Sequence, residues 1–124
     1  MIKRVLFATT MLLAAPAMAQ NVTIETARGP VEVPANPETI VVFDLAAADT
    51  LDALGVPVAG RPDNLFVDYL GEYEDAEVVG SLFEPDLEAI NALQPDLIVV
   101  GSRSSTQVEA LEGLAPTIDM TIPG

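Results

Sequence analysis

The chain has no cysteine, no histidine and no tryptophan, and its 124 residues carry 5 Lys+Arg against 19 Asp+Glu. Each shortage closes a class of function. Without thiols no disulfide can form, so the fold rests on packing alone. Without imidazole or thiolate there is no Ser-His-Asp triad, no cysteine nucleophile and no zinc site of the usual ligand set. A formal charge of −14 leaves no basic footprint for nucleic acid. What is present is a globular composition, 50% hydrophobic and only 19% charged. The length suits one domain with a modest core.

The first residues read as an export signal. Lys3 and Arg4 precede an apolar run from Val5 to Ala15, then Pro16 and Ala17-Met18-Ala19. That is a charged start, an apolar stretch of signal-peptide length and an A-x-A cleavage pattern, too short for a permanent bilayer span. Cleavage is expected between Ala19 and Gln20, with no cysteine there to take a lipid. The expected location is the periplasm or a secreted state. The exported remainder holds three basic residues, Arg28, Arg61 and Arg103, against all 19 acidic ones, a net −16 without a single lysine.

Downstream, Val22–Thr26 and Val31–Val33 alternate apolar and polar residues around Arg28-Gly29-Pro30, the pattern of a small β-hairpin over residues 20–35. Ile40–Phe43 and Leu97–Val100 are continuous apolar runs, as strands buried on both faces require. Shorter strands are predicted at Val56–Ala59, Val78–Val79 and Thr117–Thr121. Helices are predicted at Ala46–Leu54, closed by Gly55, and at Thr106–Leu114, with Val108, Leu111 and Leu114 or Ala115 inward. A third helix carries Pro85 in its first turn and an inward face of Leu87, Ile90 and Leu93, and ends at Pro95. Asn64–Tyr73 reads as a loop entering a short helix. The alternation of strand and helix implies an α/β fold with a parallel sheet covered by helices, residues 36–124 forming the lobe.

Ligands of such sheets bind beyond the carboxyl ends of the strands. Three segments qualify: Asp44-Leu45-Ala46, Gly60-Arg61-Pro62-Asp63-Asn64 and Gly101-Ser102-Arg103-Ser104-Ser105. Asp44 as a phospho-acceptor lacks the lysine such a site needs, so it reads as a helix cap. The third segment matches no nucleotide-binding signature. A serine nucleophile there would have no base. What it offers is a cation among hydroxyls at a helix start, a setting for an anion. Arg103 is therefore the leading ligand contact, against the plain alternative of a solvated loop arginine. Glu84, Asp86 and Glu88 suit the start of a helix, with Glu88 outward; an exposed polar face and a docking role both fit. Glu72, Glu74, Asp75 and Glu77 lack the spacing of a calcium loop and read as solvated charge.

These residues also carry a family resemblance. Asn36-Pro-Glu-Thr-Ile-Val-Val-Phe-Asp44, Asp49–Gly55 and above all Val79–Gly101, with its Pro-x-Leu-Glu-x-Ile and Leu-x-Pro-Asp-Leu-Ile patterns, resemble periplasmic binding proteins for ferric siderophores and cobalamin. The resemblance runs from Asn36 to Ile122 and is closest to the catecholate-siderophore branch. It implies the N-terminal Rossmann-like lobe of a two-lobed substrate-binding protein of an ABC importer, the C-terminal lobe lying outside this sequence, as in a fragment or a truncated product. It implies no catalysis and no resident cofactor, since iron arrives within the siderophore. It implies a monomer that meets an anionic ferric siderophore and an inner-membrane permease, and not nucleic acid. Cobalamin or haem on the same scaffold, or an exported lobe without binding activity, are the alternative readings. By position, Arg103, Arg61, Asn64 and Ala46 become the implied ligand contacts, and Glu88 the implied docking residue for the permease.

Overall fold

The computed structural model describes residues 20–64 and 67–124; the export signal expected over residues 1–19 lies outside them. Strands β1 (Asn21–Thr26) and β2 (Gly29–Pro34) form an antiparallel hairpin paired from Asn21↔Pro34 to Thr26↔Gly29. Five further strands follow: β3 (Ile40–Phe43), β4 (Gly60–Arg61), β5 (Glu77–Val78), β6 (Leu97–Val100) and β7 (Thr117–Asp119). They form one parallel sheet in the order β5-β4-β3-β6-β7. The apolar runs behave as their composition dictates: every residue of β3 and β6 is buried, and the two strands pair in register from Ile40↔Leu97 to Phe43↔Val100.

Because side chains alternate across a strand, these two runs feed two separate cores. Val41, Phe43, Ile98 and Val100 pack with Val79, Ile90, Val108 and Leu111, beneath α2 (Leu87–Leu93) and α3 (Val108–Glu112). Ile40, Val42, Leu97 and Val99 pack on the other face with Ala48 of α1 (Leu45–Ala53), Leu70, Tyr73 and Val33 of the hairpin. The sheet is thus covered on both sides, as the α/β reading expects.

Several boundaries differ from the sequence expectation. The strand expected over Val56–Ala59 lies at Gly60–Arg61 instead. Val56 N–H still bonds the Leu51 carbonyl at 2.9 Å, closing the end of α1, and Pro57 has no N–H to give. Ladder bonding starts only at Ala59, whose N–H reaches the Ile40 carbonyl at 2.9 Å. The strand expected at Val78–Val79 is shifted one residue earlier, to Glu77–Val78.

Pro85 is not in the first turn of α2. It pairs with Gly80 in an isolated antiparallel bridge, and Asp86 is the N-cap, accepting from Glu88 N–H at 3.1 Å and Ala89 N–H at 3.0 Å. Gly80, at φ 104°, permits this fold-back, because a Cβ there would run into the Glu84 carbonyl. The start of α2 is thereby set so that Ala89, Ile90 and Leu93 share the inward arc, at roughly 100° per residue, and Leu87 falls outside it. Leu87 is 41% exposed, contrary to the expected Leu87-Ile90-Leu93 face. The helix expected over Thr106–Leu114 is a 3₁₀ turn at Ser105–Gln107 followed by the five residues of α3, with Val108, Leu111 and Ala115 buried as expected. The segment leading to Tyr73 ends in a 3₁₀ turn, Gly71–Asp75.

Candidate functional site

The strand order places a topological switch between β3 and β6. The chain leaves β3 toward β4 and β5, then returns to lay β6 and β7 on its other side. Loops on either side of such a switch diverge and open a crevice at the carboxyl ends. A cavity of about 450 Å³ lies there, lined by Asp44, Leu45, Ala46 and Asp49 after β3, Ser102 and Arg103 after β6, and Phe43, Tyr69 and Leu82.

Its walls are fixed by local bonds. Asp44 caps α1, as the sequence reading expects, accepting from Ala47 N–H at 2.8 Å. The same carboxylate lies against Gly101, where a Cβ would collide with it; only glycine lets β6 end so close to the cap. Ser104 is buried, and its hydroxyl donates to the Phe43 carbonyl at 2.7 Å and accepts from Gly101 N–H at 3.1 Å. Ser105 donates its hydroxyl to the Ser102 carbonyl at 3.3 Å.

The arginine-among-hydroxyls reading is therefore corrected in part. Two of the three serines are committed to the loop itself, and the short α3 offers no extended helix start. Ser102 and Arg103 are the residues of that loop on the cavity wall.

From below, the loop is held by the hairpin. Arg28 Nε meets Asp119 Oδ2 at 3.1 Å, and its Nη2 donates to the Ser105 carbonyl at 2.8 Å. Burial pushes the Asp119 carboxyl up, but hydrogen bonds from the Thr121 hydroxyl and N–H, together with Arg28, outweigh it and hold the group below its ordinary value.

Of the expected ligand contacts, Arg103 and Ala46 share the switch-point cavity. Arg61 and Asn64 do not; they line a separate cavity of about 200 Å³ with Asp63, Asp68 and Glu74. There the Arg61 Nη1 donates to the Pro62 carbonyl at 3.0 Å. Glu88 is exposed on the first turn of α2 and lines neither cavity. Sequence reasoning missed Tyr69 and Asp49. Asp49 sits one turn beyond Ala46 on α1, a spacing that could have pointed to it; nothing local marks Tyr69.

The geometry defines a class, an α/β lobe with its ligand crevice at the switch between two central strands. Relatives make the class specific. The chain is 43% identical over 91 residues to the petrobactin-binding protein YclQ of Bacillus subtilis, an alignment covering 70% of this chain and 29% of the relative. The crystal structure of YclQ superposes with a TM-score of 0.76 at 38% identity, covering 81% of this chain and 37% of that one. The periplasmic catecholate-siderophore binding protein VctP of Vibrio cholerae gives a TM-score of 0.74 at 38% identity, again over 81% and 37%. A TroA-like periplasmic binding protein of Xylanimonas cellulosilytica reaches 50% identity at a TM-score of 0.71, over 86% and 38%. No family model matches the chain. By sequence and by fold the chain is a homologue of the siderophore-binding periplasmic proteins, of the TroA-like fold, and it spans 29% to 38% of the length of these relatives. These relatives are binding proteins.

Proposed function

We propose that this chain is the N-terminal lobe of an exported substrate-binding component of an ABC importer. It binds a ferric siderophore of catecholate type and presents it to an inner-membrane permease. The observation that carries the reading is the switch-point cavity, with Arg103 on its wall, in a lobe homologous to siderophore-binding proteins. A ferric catecholate is anionic and its iron is already fully ligated. The protein then needs a cation, polar contacts and an apolar wall rather than its own metal ligands, and Arg103, Ser102, Leu82 and Tyr69 supply these. At −14 the chain repels an anion at long range, but charges beyond a Debye length of about 8 Å are screened at physiological salt, so the local arginine decides. Glu88, exposed on α2, is the residue for a basic permease surface, and the protein acts as a monomer.

The test is titration with ferric catecholate siderophores, followed by protein fluorescence. Of the chain's 2 tyrosines, with no tryptophan beside them, Tyr69 lines the cavity and Tyr73 does not, so the part of the emission lost in Tyr69→Phe reports on the site. Saturable quenching is expected; its absence across catecholate, hydroxamate and citrate ferric complexes defeats the reading.

A further inference from the structure

The switch-point cavity is of mixed charge. Beside Arg103 its wall carries two carboxylates, Asp44 and Asp49. They differ in what they are free to do. Asp44 is committed to capping α1 and to the contact with Gly101. Asp49 is exposed, and among the described residues no hydrogen bond or ion pair engages its side chain. Nor does α1 need Asp49, which lies past the first turn, where a carboxylate would favour the helix dipole. Tyr69, 64% exposed, adds an aromatic wall to the same cavity.

A carboxylate on the wall of an anion-binding pocket weakens binding unless the ligand brings it a partner. We propose that Asp49 is a specificity-determining residue, and that the cavity selects ferric complexes which join an aromatic, anionic chelate to a protonated amine. The chelate lies against Arg103 and Tyr69, and the ammonium meets Asp49. This rests on the siderophore reading above and narrows its ligand class. A purely anionic chelate gains Arg103 but faces Asp49 across the same small space. A complex with an ammonium arm satisfies both charges with charge-assisted hydrogen bonds, the strong kind.

The test uses the natural polypeptide bearing this sequence and two probes. One is the ferric complex of a hexadentate tris-catecholate carrying a pendant primary amine; the other is the same complex with that amine acetylated. The free-amine complex is expected to bind about tenfold tighter to the native protein. Asp49→Asn is expected to erase that preference, tightening binding of the acetylated complex and weakening that of the free-amine complex, with the urea midpoint unchanged. Equal affinities in the native protein, or a preference that survives Asp49→Asn, overturn the inference while leaving the siderophore reading intact. Binding of neither complex overturns both.

Discussion

The Ser104 hydroxyl spans the carboxyl ends of the two central strands, donating to the Phe43 carbonyl of β3 at 2.7 Å and accepting from the Gly101 N–H after β6 at 3.1 Å. It therefore staples the switch point where the crevice opens. Both backbone groups bond to the hydroxyl of a buried serine. Ser104→Ala leaves them without that partner. The expected loss is about 1–3 kcal/mol of folding stability, read as a lower urea midpoint with an unchanged slope.

Gly101→Ala attacks the same junction by steric means. The new methyl meets the Asp44 carboxylate, so either β6 or the cap of α1 must move. A cost of about 1–3 kcal/mol is expected for such overpacking. Because the clash is with one side chain, the penalty should shrink in an Asp44→Ala background. Additive costs in a double-mutant cycle would show that the collision is absorbed elsewhere.

Stability near acid pH is expected to depend on Asp119. Its folded-state pKa is lowered, so its contribution is fully present above the unfolded value, near 3.9, and is lost as pH falls through the lower folded value. Asp119→Asn should flatten the fall of the urea midpoint below about pH 4. An identical pH profile for the variant would show that its partners contribute nothing. Part of the effect passes through Arg28, whose side chain is 47% exposed, so high salt should weaken it only partly.

Arg103→Ala is expected to weaken ferric-siderophore binding at least tenfold, about 1.4 kcal/mol. The side chain is exposed on the cavity wall, while the loop is held by Ser104 and Arg28. Unchanged affinity by titration would remove Arg103 from the site.

Glu88→Ala is expected to leave binding intact and to slow uptake in cells carrying the importer. Glu88 lies away from the cavity, exposed on α2. Normal uptake would assign it to helix-dipole compensation alone.

Much of the fold was legible because its signals are local. Two uninterrupted β-branched runs announced the central strands, and the cap at Asp44 and the stop at Gly55 bracketed α1. The failures share one cause: a neighbour in space overrode a neighbour in sequence. Pro85 is a good first-turn residue, yet pairing with Gly80 places it outside α2. That choice also turns Leu87 into solvent, although its spacing to Ile90 suggests otherwise. The site divided in the same way. Ala46 and Arg103 follow adjacent strands, so topology alone brought them together. Arg61, the last residue of the next strand out, and Asn64 just beyond it open onto a different cavity. Tyr69 reaches the crevice from a loop with no periodicity to read.

The hairpin is anchored to the opposite end of the sequence. Ala27 N–H bonds the Asp119 carbonyl at 2.9 Å, and Arg28 pairs with the Asp119 side chain 91 residues later. The earliest element is thus fastened by the latest strand, and the loop that this closes encloses nearly the whole lobe. Closing so long a loop has an entropic cost that local structure does not offset until the sheet is assembled. A chain emerging amino end first can pack Val33 of its hairpin against β3 and α1 early, but gains the Ala27 and Arg28 clasp only when β7 appears. Cutting the chain between the two halves of this clasp, even in a surface loop, should loosen the hairpin and the Ser102–Ser105 loop together, because one arginine holds both.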